Sequence, residues 1–238
     1  MRPPPQPHAR ILDIPGTSSS KELLGKYVDM AVSTLSSYGW HRTCLKLRGR
    51  SDIPTKIDRL EHPAGPRLNR IRKNGVPVVM QSDPWTPAQL KACRDRGPHK
   101  SAHEHHDFLC DEFLDFVRKG FWMVLPYSKV EHIPGFRLSP LGVVPQDGRR
   151  PRVIVDYSFW GVNDDTLPLS EAASMQFGRT IRRLQQNVAS ANPKYGPTYL
   201  YKIDISDGFY RVPVATSGVA KLGVVLPPLT GTEPLVAF

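Results

Sequence analysis

The sequence predicts a mixed α+β chain with a loose, basic N-terminal region, and three observations lead there. Two β-prone runs, Leu141-Gly142-Val143-Val144-Pro145 and Arg152-Val153-Ile154-Val155-Asp156-Tyr157, flank Asp147-Gly148, the dipeptide that favours a tight hairpin. Leu109, Phe113, Phe116 and Val117 recur at the spacing of one helical face. A chain of 238 residues can bury a sizeable core, while its 24 Pro and 18 Gly divide it by many turns and extended connections.

In chain order, residues 1–20 join a proline-rich start to Gly16-Thr17-Ser18-Ser19-Ser20, a composition that builds no core and reads as a disordered tail. Residues 21–95 form a basic region of poor definition. Within it Leu23, Leu24, Tyr27, Val28, Met30, Ala31 and Leu35 recur at helical spacing as far as Gly39. From Arg42 to Lys73 cations alternate with Pro54, Pro63 and Pro66, the pattern of a positively charged connector. Its cations suit phosphates, or equally a solvated charge run.

Residues 96–238 carry the folded unit. Ser101 with Glu104 matches a capping box ahead of the apolar stripe, and Gly120 supplies the stop. His99, His103, His105, His106 and Cys110 raise the question of zinc. At 100° per residue the histidines do not converge on one face, so core-edge and surface positions are expected instead. Phe121-Trp122-Met123-Val124-Leu125 reads as a short strand, broken by Pro126 and Pro134-Gly135.

The hairpin follows, with Arg149, Arg150 and Arg152 at its tip and on its returning strand. Forked, permanently charged guanidinium groups suit a triphosphate or a nucleic-acid backbone; an edge hairpin kept soluble by charge is the competing reading. Asp164-Asp165 lies between a turn and Pro168 with no flanking strand to hold it rigid, which favours a structural loop over a metal pair. Ser170 is expected to cap a helix whose face of Phe177, Ile181, Leu184 and Val188 packs inward, opposite Arg179, Arg182 and Arg183.

Leu200 to Tyr210 is an apolar, β-prone run that delivers Asp204 where turn residues begin, with Asp207, Gly208 and Phe209 after it. An acid so placed can hold a metal at the mouth of a sheet. Arg211 to Val214 and Ala220 to Leu226 read as further strand material. The final apolar run, Leu235-Val236-Ala237-Phe238, reads as a truncated domain, because a terminal strand needs partners or a solvated finish.

The net charge of +10 makes a polyanionic partner a serious hypothesis. Cys44, Cys93 and Cys110 are odd in number and widely spaced, which argues against a disulfide framework and for a reducing compartment. No run approaches the ~20 apolar residues of a membrane span, and Met1 to Pro7 contains no apolar signal region. The expectation is a cytoplasmic or nuclear chain with no membrane partner.

Arg137-Leu138-Ser139-Pro140-Leu141-Gly142-Val143-Val144-Pro145, then Arg152 to Ser158, then Gly161-Val162-Asn163-Asp164, resembles the fingers of retrotransposon reverse transcriptases, of the tyrosine-recombinase type or a related retroelement. Leu200 to Val214 is similar to the first catalytic motif of that family's palm. The likeness covers roughly residues 100–238 and is specific from about 137 to 225. It implies an incomplete right-hand polymerase fold, made of a fingers hairpin, the first palm strands and their packing helices.

The resemblance implies further that Asp204 ligates both catalytic Mg2+ ions, with the Ile205 carbonyl at one of them. It makes Asp207 and Gly208 the backbone cradle of the triphosphate. Phe209 becomes the aromatic under the sugar that favours deoxynucleoside triphosphates, and Arg152, or its neighbour Arg150, the arginine that closes on the phosphates. The implied partners are an RNA template, a DNA primer and their RNA/DNA hybrid. The chain departs from the family in having no later Tyr-x-Asp-Asp turn after Asp204. One carboxylate does not hold two ions, so a fragment without polymerase activity of its own is expected. Two other readings stand beside this one: a non-catalytic nucleic-acid-binding relic, and a protein-interaction domain with incidental basic patches.

Overall fold

The computed structural model describes residues 18–48, 61, 63–167, 180–200 and 208–238. It divides into two units, residues 168–208 and the remainder of the chain. The larger unit is α+β, built on an open five-stranded sheet.

Helix α1 (Ser20–Leu47) begins at a capping box. The Ser19 hydroxyl accepts from the Glu22 amide at 3.3 Å, and the Glu22 carboxylate accepts from the Ser19 amide at 3.2 Å. Leu23, Leu24, Tyr27, Val28 and Ala31 form its buried face. The stop expected at Gly39 is a kink instead, with φ 71° and ψ 172°. Helix resumes beyond it, where the Thr43 hydroxyl donates to the Gly39 carbonyl at 2.8 Å and Cys44 and Leu47 are again buried.

Part of the expected connector is also helical. α2 (Gly65–Asn74) carries Pro66 in its first turn, where a missing N–H costs nothing, and it ends at Gly75. Gly75 has φ +77°, and a Cβ there would lie 2.4 Å from the Ala215 nitrogen, so only glycine fits. α3 (Pro87–Arg96) starts at a second capping box, Thr86 with Gln89.

The single helix expected from Ser101 is two: α4 (Lys100–Glu104) and α5 (His106–Lys119), broken at His105. Ser101 does not cap. Its hydroxyl accepts from the Val143 amide at 3.0 Å, and Glu104 pairs with Lys100 at 3.2 Å. The stripe Leu109, Phe113, Phe116 and Val117 is buried as expected, and Gly120 ends α5 in the left-handed region. α1 packs on α5 and on β1 (Val124–Pro126).

The sheet order is β1-β5-β4-β2-β3, with β2 Leu138–Gln146, β3 Arg149–Val155, β4 Gly223–Leu226 and β5 Leu235–Ala237. The first three residues of β2 pair in parallel with β4, Leu138↔Gly223 to Pro140↔Val225. The remainder pairs antiparallel with β3, from Leu141↔Val155 to Gln146↔Arg149. β5 lies between β1 and β4. The final apolar run, read from the sequence as a truncated domain, is β5 with a strand on each side, and pairing accounts for its burial.

Arg211 to Val214 is not a strand. Gly208–Arg211 is a 3-10 turn, and Val214 alone bridges to Val76. Ahead of β4 the chain forms α7 (Thr216–Val219) and a further 3-10 turn, Ala220–Leu222; Gly218 sits against the Val78 side chain, where a Cβ would be 2.9 Å away. In the smaller unit α6 spans Thr180–Ala189. Its Ile181, Leu184 and Val188 are exposed among the described residues, Ile181 at 68%. The expected cap Ser170, with Phe177 and Arg179, lies outside the described residues.

Candidate nucleic-acid interface

The β2–β3 hairpin turns at Asp147-Gly148 as the sequence predicts, with Gln146 opposite Arg149 and Gly148 at φ +63°. A bulge between Val144 and Gln146 absorbs Pro145, which cannot donate to a ladder. Along β3, Val153 and Val155 are half-buried, while Arg152 and Ile154 alternate with them on the exposed face.

Arg150 and Arg152 thus stand on one strand, two residues apart. Arg150 is engaged: its guanidinium lies 2.5 Å from the Glu112 carboxylate in an ion pair and 5.4 Å from the centre of the Phe108 ring. Arg149 and Arg152 are exposed. Asp204, Ile205 and Asp207 lie outside the described residues, as does the side chain of Phe209. Gly208 opens the 3-10 turn Gly208–Arg211.

The second acid of Asp164-Asp165 has a structural partner that the sequence does not reveal. Arg137, only 3% exposed, places Nη1 2.5 Å from Asp165 Oδ2. Ser82 joins them: its amide and hydroxyl each donate to Asp165 at 2.8 Å, and its hydroxyl accepts from Arg137 Nη2 at 2.9 Å. The Trp85 ring centre lies 5.4 Å from the guanidinium carbon. A buried guanidinium needs such company. The sequence clue is Arg137 itself, a charge at the head of a run that enters the core.

The histidines are dispersed. His99 Nε2 lies 3.1 Å from Asp156 Oδ2, His105 Nδ1 lies 3.0 Å from the Ser101 carbonyl, and His106 is near Asp107 and the Cys110 sulfur. Among the described residues no three His, Cys, Asp or Glu side chains are grouped to hold a metal.

The three cysteines are free and buried. Burial pushes the Cys44 thiol up to about 12, and those of Cys93 and Cys110 up to about 11, so all three are protonated at neutral pH and are poor nucleophiles. A cavity of about 470 Å³ opens beneath β3 among Phe121, Trp122, Val153, Val155, Tyr157 and Tyr210. Among the described residues no helix is long and apolar enough to cross a membrane.

No protein-family model, no curated protein and no solved structure matches the chain.

Proposed function

We propose that the chain is the fingers and first palm segment of a retroelement reverse transcriptase, an RNA-directed DNA polymerase that copies an RNA template from a DNA primer. The observation that carries this reading is the Asp147-Gly148 hairpin, which presents Arg149 and Arg152 to solvent on an arm extending from the sheet. Such an arm offers guanidinium groups to a triphosphate or to a nucleic-acid backbone, the polyanions that a chain of charge +10 attracts. Arg150, tied to Glu112, braces the arm, which leaves Arg152 as the phosphate-closing arginine.

In this reading Asp204 and the Ile205 carbonyl hold magnesium, Asp207 and Gly208 cradle the triphosphate, and Phe209 excludes a 2′-hydroxyl. A carboxylate and a carbonyl are the hard oxygen donors that magnesium takes, and with a complete carboxylate set two bound ions would supply activation of the primer 3′-hydroxyl and charge neutralisation of the pyrophosphate. The three protonated, unpaired thiols support a reducing compartment, cytoplasm or nucleus. The 238 residues contain Asp204 without a later aspartate pair, so by themselves they bind the primed template and do not extend it.

The test is the purified chain with a labelled RNA/DNA hybrid, followed by primer extension on poly(rA) with magnesium. Affinity is expected to fall steeply as salt rises, with no extension. A flat response to ionic strength would remove the polymerase reading, and primer extension would overturn the assignment of an incomplete carboxylate set.

A further inference from the structure

Past the end of β3 the chain displays two large aromatic rings that the core does not use. Phe159 is 45% exposed and Trp160 37%, with ring centres 5.0 Å apart at 81°. They do not hang free. The Phe159 amide donates to Asp156 Oδ1 at 3.1 Å, and the Arg96 guanidinium carbon lies 4.2 Å from the Phe159 ring centre. The His99 ring meets Phe159 edge-on at 5.5 Å.

Arg96, His99 and Asp156 form a relay that fixes this support. Arg96 Nη2 is 3.1 Å from His99 Nδ1, and His99 Nε2 is 3.1 Å from Asp156 Oδ2. Arginine only donates and a carboxylate accepts, so the geometry suits the neutral tautomer with its proton on Nε2. Phe159 is thus fixed by Arg96 and His99 at its ring and by Asp156 at its amide, Trp160 stands edge-on beside it, and both rings keep a large exposed fraction.

The exposed surface continues along the arm. A Cβ at Gly142 would meet the His99 ring at 3.3 Å, so Gly142 and its cross-strand partner Ile154 share the face on which His99 lies. The next pair on that face is Val144 with Arg152. Val144 and Ile154 are exposed at 44% and 43%, and Arg96, Lys100 and Arg152 are exposed cations. Asp156, the acid within this set, is turned to His99 and the Phe159 amide.

We infer that Phe159 and Trp160 are a stacking shelf for unpaired bases of single-stranded nucleic acid, whose phosphates run beside Arg96 and Arg152. Exposed rings flanked by arginine offer an unstacked base a π-face and its phosphate a counter-charge, which a duplex with its bases already stacked cannot use. The inference rests on the polyanion-binding reading above and adds which strand is held, and where.

The test is fluorescence anisotropy of the full 238-residue chain with a labelled oligouridine and with a duplex of equal length, each at several salt concentrations. Removing an aromatic on which a base stacks weakens single-strand binding by about tenfold, and the Phe159→Ala/Trp160→Ala double variant by about a hundredfold. The salt slope stays unchanged, because no phosphate contact is lost. Phe159→Tyr and Trp160→Phe restore binding, and duplex affinity does not move.

Phe159 packs on Arg96 and His99 while Trp160 stands at its edge, so Trp160→Ala serves as the milder variant, with about a tenfold loss expected. Undiminished oligouridine binding by the double variant, with its salt dependence intact, would overturn the shelf and leave the polymerase reading standing. An equal loss for duplex would likewise overturn it. A wild-type chain that binds neither probe would remove both.

Discussion

Arg137 and Arg152 lie at opposite ends of one two-stranded arm, and the chain uses them in opposite ways. Arg137 precedes β2 where that strand enters the sheet beside β4; it is buried and answered by Asp165, Ser82 and the Trp85 ring. Arg152 lies opposite Val144 near the hairpin tip, exposed to solvent. Both belong to the stretch that we propose to be the fingers of a reverse transcriptase. The contrast divides that stretch into residues that hold the arm and residues that the arm presents.

Removing the buried partner is expected to have the largest effect. Arg137→Gln leaves the partly exposed Asp165 carboxylate and the Ser82 groups without their cation, and losing a charge-assisted hydrogen-bonded partner of this kind costs about 1.5–3 kcal/mol. Urea denaturation of the purified chain measures it through the midpoint. A loss within about 0.5 kcal/mol, the ordinary range for surface substitutions, would show that the Arg137 network does not hold the arm.

Acid sharpens the same contrast from the other partner. Burial pushes the Asp165 carboxyl up, but the Ser82 hydroxyl, the Ser82 amide and the Arg137 guanidinium together pull it down further, leaving it below its ordinary value. A carboxyl depressed on folding stabilises at pH above its unfolded value of about 3.9, and that contribution is lost as pH falls through the folded value. Asp165→Asn should therefore be less stable than the parent chain at pH 7, and the gap should close below about pH 4. Urea midpoints from pH 7 to pH 3 give the comparison. A gap constant with pH would show that ionisation of Asp165 is not what stabilises the pair.

The presented end was legible in the sequence and the holding end was not, for a physical reason. Asp147-Gly148 between alternating β-prone runs is a local signal: the turn dictates the register, and the register decides that Arg152 faces outward. The α5 stripe was equally local. Arg137 with Asp165 joins residues far apart in sequence, and no periodicity announces such a partner. Ser101 shows how a local rule fails, since its hydroxyl fits a capping box and is drawn instead to the Val143 amide of β2. Gly39 shows another failure, because a helix with a buried face on both sides of a glycine continues through a kink. The support of Phe159 by Arg96 and His99 was missed because these residues lie some sixty positions before it in sequence, and no local pattern announces a contact at that separation.

The smallest effect on stability, and the one that decides what the arm is for, belongs to Arg152→Gln. An exposed side chain opposite Val144 leaves no buried group unpaired when its charge is removed, so stability should change by no more than about 0.5 kcal/mol. If that guanidinium meets a phosphate, the dependence of hybrid affinity on salt should become shallower by about one unit of logarithmic slope. Arg137→Gln, measured under conditions where it is fully folded, should leave that slope alone, because its guanidinium faces Asp165 and Ser82 rather than solvent. Two titrations on two variants therefore separate the roles: one loses stability and keeps the slope, the other keeps stability and loses slope. An Arg152→Gln chain with unchanged slope would make the exposed arginine of the arm a solvated charge and nothing more.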